Sequence, residues 1–172
     1  MKESTIIRRM MKSDIEEISQ AFIHQGWPGR EDTLTSYLQD QENGERDVLV
    51  ADLDGSVAGY ITILPDAKHG PFVGVYPELT DFNVFELFRN RGIGNQLLEE
   101  AEKRVRLLSE IVTLGVGLHS GYGPAQRLYV KRGYIPDGSG IWFRDQPLAP
   151  YSLCENNDDL VLYFSKRLNK EI

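Results

Sequence analysis

One cysteine, Cys154, is all that the 172 residues contain. The chain therefore cannot build an internal disulfide framework, and a reducing compartment is expected, with the cytoplasm as the default. Long apolar runs are missing too. No stretch approaches the roughly 20 residues that a spanning helix needs, so no membrane partner is expected. The opening "MKESTIIRRMMKSDIEE" turns acidic before any signal-like apolar core develops, and we read no signal peptide. Three histidines, His24, His69 and His119, fall at no metal-ligand spacing, and no metal is expected. Positive charge is also short. The net charge is −7, whereas phosphate-backbone binding needs a basic face, so nucleic acid is not an expected partner. Internal repeats, low-complexity tracts and interdomain linkers are absent as well.

What is present is an ordinary globular composition, 41% hydrophobic and 26% charged, at a length that favours one domain over residues 1–172. The charge is uneven. Residues 1–55 carry 12 acidic and 6 basic side chains, and residues 56–172 carry 14 and 13. That asymmetry leans toward a cationic substrate approaching the N-terminal third, although solvated helix faces give the same pattern.

Residues 4–10, "STIIRRM", read as a strand. Ser13 followed by Glu16 has capping-box spacing and opens a helix that runs to about His24 on Ile15, Ile18, Phe22 and Ile23. "TLTSYLQDQ" is a second helix, and a hairpin follows: strand 46–52, turn Asp54-Gly55, strand 56–64. After an irregular connection, "LTDFNVFEL" is a strand, and Ile93, Leu97, Leu98, Ala101, Val105 and Leu108 trace one helical face. "EIVTLGVGL" is a buried-type strand. "SGYGPAQRLYVKRGY" is a helix with Pro124 near its first turn and Gly133 just past its end. "GIWFRD" and "DLVLYFSKRL" are closing strands. The order β-α-α-β-β-β-α-β-α-β-β predicts an α/β (α+β) domain.

The informative stretch is "FELFRNRGIGNQLL", residues 85–98, where a strand turns into a helix. A helix N-terminus leaves N–H groups unpaired and carries partial positive charge. Gly92 and Gly94 would let an anion approach the backbone, and Arg89 and Arg91 add charge, so a pyrophosphate matches in size and valence. A Walker loop fails here because Asn95-Gln96 follows Gly94. A dinucleotide fingerprint fails because its third small position is Leu97. A tight turn with close helix packing would use the same glycines.

What remains, Arg89-x-x-Gly92-x-Gly94, resembles the Q/R-x-x-G-x-G/A loop by which N-acetyltransferases of the GNAT superfamily hold acetyl-coenzyme A. The resemblance covers nearly the whole chain. Its second motif, A-x-x-L-Y-x-x-x-G-F/Y, is matched by Ala125, Leu128, Tyr129, Gly133 and Tyr134. It implies a mixed, mostly antiparallel sheet of about seven strands with about four helices, in which two parallel strands splay to form the acetyl-CoA cleft. It also implies direct transfer of acetyl to an amine, with acetyl-CoA as cosubstrate.

The resemblance further implies residue roles. Arg89, Asn90, Arg91, Gly92, Ile93 and Gly94 would hold the pyrophosphate. Backbone groups of Phe82 and Val84 would pair with the pantetheine arm, and an amide near Val84 would polarise the thioester carbonyl. Tyr129 is the candidate acid for the leaving thiolate; its helical spacing with Ala125, Leu128 and Arg132 equally suits inward packing. Glu78 and Asp81 are the candidates for proton removal or amine contact, Asp81 slightly preferred for contact, with polar strand residues as the plain alternative. An ideal strand would set these two on opposite faces unless a bulge intervenes. Two positions depart from the family: Gly117 where some relatives carry a glutamate, and Tyr122 where many carry an asparagine that contacts the coenzyme. Tyr122 and Ala125 stay in the expected coenzyme set, and Arg127, Lys131 and Arg132 could meet its 3′-phosphate. Trp27 and Tyr37 line the acceptor pocket or simply pack. The expected partner is a small-molecule amine in preference to a protein, and a homodimer stays open, as does an acyl group other than acetyl. The alternative is a coenzyme A-binding sensor or interaction module without transferase activity.

Overall fold

The computed structural model describes residues 4–169. Among them the elements run β1 (Thr5–Arg9), α1 (Asp14–His24), α2 (Glu31–Glu42), β2 (Asp47–Leu53), β3 (Ser56–Leu64), β4 (Glu78–Val84), α3 (Ile93–Arg106), β5 (Ile111–Gly117), α4 (Gly123–Lys131), β6 (Ile135–Phe143), β7 (Gln146–Pro147) and β8 (Leu160–Arg167). The strands form one mixed sheet in the order β1-β2-β3-β4-β5-β8-β6-β7. Residue contacts divide the chain into two compact units. The first is Met1–Leu64 with Thr80–Arg104, and the second is Pro65–Leu79 with Val105–Ile172.

In the first unit β2 runs antiparallel to both β1 and β3, Val50 facing Arg8 on one side and Tyr60 on the other. The β2–β3 turn is the expected Asp54-Gly55, with φ of 50° and 90°, the doubly left-handed geometry that a two-residue hairpin needs. The core gathers Met10, Ile18, Leu34, Val48, Val50, Val57, Tyr60 and Phe85, with Phe22 and Tyr37 packed against it. Each large apolar side chain so buried contributes roughly 1.5–3 kcal/mol. Gln41 pins α2 to the sheet from inside. Its amide donates to the Met10 carbonyl at 3.0 Å, and its oxygen accepts from the Val48 N–H at 3.1 Å.

The start of α1 differs from the capping-box expectation. Ser13 is itself helical (φ −62°, ψ −23°) and its side chain makes no cap bond. The neighbouring carboxylate takes over. Asp14 accepts the Met11 N–H at 2.7 Å and a bidentate pair from Arg8 at 2.8 and 2.9 Å. A charge-assisted fork from an adjacent strand outweighs a single hydroxyl.

In the second unit, parallel pairing joins Glu78 to Thr113 and Leu79 to Leu114. Strand β5 continues antiparallel to β8, which pairs in turn with β6. The strand expected at 140–145 starts at Ile135 instead. A register shift between Pro136 and Ile141 spans Gly138 (φ 89°) and Gly140 (φ 81°), and this bulge hides the strand's first half. The two-residue β7 is the strand beyond the expected seven. It folds back through Arg144 (φ 51°) and Asp145 (φ 60°), a left-handed pair without the glycine that normally signals such a turn. Leu108, assigned to the buried face of α3, lies past the helix end and is exposed.

Urea unfolding should separate the two residues at the start of α1. Asp14→Ala should cost about 2–4 kcal/mol, below the full penalty for a broken buried pair because the Arg8 side chain keeps 23% exposure. Ser13→Ala should stay within about 0.5 kcal/mol of the parent. A larger loss at Ser13 than at Asp14 would contradict the assignment of the cap.

Candidate functional site

The first unit carries the coenzyme-loop half of the predicted set. Strand β4 reaches Val84, and the Phe85 N–H then donates to the Ala58 carbonyl at 2.9 Å. A Cβ on Gly59 would overlap the Asn83 carbonyl oxygen, so only glycine lets β3 approach β4 there. Past a single 3-10 turn at Glu86–Phe88, the chain exposes Arg89, Asn90, Arg91 and Gly92 before α3 begins at Ile93. Asn90 (φ 62°) and Gly92 (φ 78°) are both left-handed, and a Cβ added at Gly92 would meet nothing within 4 Å. Open space therefore stands over a backbone that leads into a helix N-terminus. The Arg89 Nε donates to the Val84 carbonyl at 3.1 Å, which ties this turn to the end of β4. Arg91 lies over the Phe88 ring at 5.8 Å. Ile93 is fully buried, so only its backbone can face a ligand.

Asp81 interrupts β4. Its φ is +49°, a left-handed residue inside a strand, and this is the bulge that the Glu78–Asp81 spacing left open. The carboxylate is crowded with donors. One oxygen accepts from Tyr37 and Tyr60, each at 3.0 Å; the other accepts from Asn83 at 2.9 Å and from Arg30 at 3.0 Å, and the same Arg30 nitrogen forms an ion pair with the first oxygen at 2.9 Å. Arg30 also donates to the Tyr60 hydroxyl and lies over the Phe22 ring at 5.1 Å. Burial, and then the Asp81 charge, hold the Tyr60 and Tyr37 phenols above their ordinary range, so both remain donors. Tyr37 is thus brought to Asp81, with the Arg46 guanidinium 4.1 Å from its ring centre. Trp27 projects into solvent at 63% exposure.

The second unit holds Glu78, Tyr122, Ala125 and Tyr129. Glu78 is buried at the start of β4. Burial, then the charges of Glu78 and Asp145, push the Tyr163 phenol up to about 12. At the far end of β5 the two departures from the family prove to be one packing event: a Cβ on Gly117 would overlap the Tyr122 ring. The ring occupies the volume that a side chain at 117 would need. The Tyr122 hydroxyl donates to Asp158 at 2.9 Å. His119 Nδ1 accepts the Gly121 N–H at 3.0 Å, which leaves its Nε2 as the donor toward Asp158, also at 3.0 Å. The Gly117 carbonyl is capped by the Gln126 amide at 2.9 Å.

Helix α4 ends as expected. Gly133 (φ 90°) follows Arg132, the Gly133 N–H reaches Val130 O at 3.1 Å, and the Tyr134 N–H reaches Tyr129 O at 3.0 Å, a Schellman closure. Tyr129 is buried, with its ring 5.8 Å from that of Tyr134. Burial raises its phenol well above the usual range, so the hydroxyl keeps its proton at neutral pH. Ala125 is half-buried; Arg127 and Lys131 are exposed. The residues not anticipated from sequence are Arg30, Tyr60, Asn83, His119, Gln126 and Asp158. Arg30 and Asp81 are 51 positions apart, and no spacing signals such a pair.

A family model described as the acetyltransferase (GNAT) family matches residues 12–134. No curated protein matches the chain. Among solved structures, a Salmonella typhimurium protein crystallised with its cofactor acetyl-CoA superposes with TM-score 0.68 at 18% identity, covering 97% of this chain and 95% of its own. The ribosomal-protein-alanine N-acetyltransferase of Brucella melitensis gives 0.69 at 20% identity, covering 95% and 99%. An N-acetyltransferase of Staphylococcus aureus Mu50 gives 0.70 at 17% identity, covering 96% and 99%. At these identities the structural likeness speaks to the fold, which matches the one expected.

The shared volume of Gly117 and Tyr122 predicts a non-additive pair. Gly117→Ala should destabilise by about 1–3 kcal/mol, the usual cost of overpacking. The same change in a Tyr122→Ala background should cost under about 0.5 kcal/mol. Equal costs in the two backgrounds, measured by denaturant titration, would refute the coupling.

Proposed function

This chain belongs to the acetyltransferase (GNAT) family, and from that premise we propose that it moves an acetyl group from acetyl-CoA directly to an amine. The observation that carries the proposal is the turn at Arg89–Gly92. It is exposed, twice left-handed, open above Gly92, and placed immediately before α3. Those are the properties that a pyrophosphate requires of a protein backbone. Arg91 supplies charge there, while the bond from Arg89 to Val84 O holds the turn against the strand assigned to the pantetheine arm.

Acetyl-CoA supplies the acetyl group as a thioester. The amine nitrogen forms the new C–N bond, the C–S bond breaks, and the thiolate leaves. We assign the Val84 region to polarising the thioester carbonyl and the Tyr129 hydroxyl to protonating the departing sulfur. Its raised pKa keeps the donor form populated, in the sense that proton donation persists up to alkaline pH and is lost only above it. The amine proton goes to Glu78 or to water. The acceptor we propose is a small cationic amine, which the net charge of −7 favours by long-range attraction.

Three measurements test this reading. Calorimetry should show acetyl-CoA binding that weakens at least about tenfold in Arg91→Glu, which is about 1.4 kcal/mol of lost attraction; unchanged affinity would remove the loop assignment. Free-thiol release should be scored across polyamines, aminoglycosides, amino acids and a peptide with N-terminal alanine, the last because of the Brucella neighbour's named substrate. Binding without release from any amine would leave a coenzyme-binding module. Tyr129→Phe should lower turnover about 100-fold with little loss of thermal stability, and the parent enzyme should show no Tyr129-dependent decline up to about pH 10. Turnover within a factor of two would make Tyr129 a packing residue.

A further inference from the structure

Both oxygens of the Asp81 carboxylate are occupied by donors from within the chain. An ionised carboxylate offers about four lone-pair sites, and Arg30, Tyr37, Tyr60 and Asn83 place four hydrogen bonds of 2.9–3.0 Å on its two oxygens. These donors come from separate places in the chain: the residue before α2, α2 itself, β3, and β4 two positions on. They converge on a residue whose backbone is left-handed within a strand. Such a conformation is strained for a residue with a side chain and persists only where the surroundings over-determine it. Aspartate tolerates it better than most side chains. Only this side chain combines that tolerance with a full set of acceptors.

We infer that Asp81 is a positioning residue, and that it forms with Arg30 and Tyr60 a polar lock that fixes the bulge and so aims the backbone of Phe82–Val84. The inference rests on the acetyl-transfer reading, because that segment is the one proposed to meet the pantetheine arm and the thioester carbonyl. It reassigns Asp81 from the amine-contact or proton-removal role that the resemblance suggests, and it gives functions to Arg30 and Tyr60, which no motif marks. The Arg30 charge is matched by Asp81, and the two phenols stay protonated donors. The lock is therefore electrically balanced and does not depend on binding a charged acceptor.

The direction of the chain after Asp81 follows from the lock. A left-handed residue breaks the alternation of side chains along β4, so the residues after it face differently from those of a regular strand. Asn83 returns its own amide to Asp81, which closes the turn locally. Downstream, Val84 O receives Arg89, so an error at Asp81 would propagate to the pyrophosphate turn through a single hydrogen bond.

The test compares Tyr60→Phe, which leaves the Asp81 carboxylate in place, with Asp81→Asn and with the double variant. Affinity for acetyl-CoA is read by calorimetry and turnover as a function of pH. A lock predicts that each single variant weakens acetyl-CoA binding by about tenfold, the scale of one hydrogen bond to a charged group. It predicts a double variant no worse than Asp81→Asn alone, and an acid limb of the rate profile that survives in all three. Asp81→Asn with wild-type coenzyme affinity and a flattened acid limb would make Asp81 the base and overturn the inference. Tyr60→Phe within a factor of two of wild type in both affinity and turnover would overturn it as well. If the wild type neither binds acetyl-CoA nor releases thiol, the acetyl-transfer reading fails first. The lock is then judged by a double-variant unfolding cycle between Asp81 and Tyr60, where additive losses would refute it.

Discussion

A left-handed aspartate in the middle of a strand has to be held there, and much of the first unit is arranged around holding it. Arg30 leaves the loop before α2 to reach Asp81 and crosses the Phe22 ring on the way. Phe22 meets Phe85 edge to face at 5.5 Å, and Tyr60 stands 6.3 Å from Phe22. The polar lock therefore rests on an aromatic floor drawn from α1, β3 and Phe85, the residue after β4. Apolar burial supplies the stability, while the lock supplies direction, because hydrogen bonds to a charged group are geometrically demanding and dispersion contacts are not. Strain in β4 is kept because everything next to it agrees on one position for the carboxylate.

The second unit follows a different rule, in which glycines clear space for tyrosine rings. Gly117 yields to Tyr122, and Gly70 and Gly115 together yield to Tyr163, since a Cβ at either would overlap its ring or crowd it. Each ring then brings a hydroxyl to or near a carboxylate: Tyr122 to Asp158 by a direct bond, and Tyr163 within the field of Glu78 and Asp145. A position that lacks a side chain in the sequence is thus not an empty position in the structure. Read alone, Gly117 looks like a missing carboxylate; beside Tyr122 it is one half of a substitution.

The α/β order, the four helices and the Asp54-Gly55 hairpin were legible because period, turn residues and helix ends agree locally. The turn at Arg89–Gly92 was legible for the same reason: glycine and arginine are rare enough together to carry meaning. What stayed hidden depends on contacts remote in sequence or on backbone torsions. Neither the bulge at Asp81 nor the Arg144-Asp145 turn uses glycine, so composition gives no sign of them. The cap at α1 was misread because Ser13 fits the pattern, while the stronger acceptor, Asp14, answers to an arginine on β1. Tyr60 reads as an apolar strand residue until its hydroxyl is followed to Asp81. The roles of Tyr129 and Glu78 rest on resemblance together with their burial.

Backbone amide exchange on the wild-type protein, with and without coenzyme A, tests the central claim most directly, since it reads the segments themselves and needs no knowledge of the acceptor. If the left-handed bulge and the Arg89–Gly92 turn form one coenzyme-binding surface, the ligand should slow exchange together at residues 82–84 and at 90–95. Slowing confined to other segments, or none at all at saturating coenzyme A, would contradict the account.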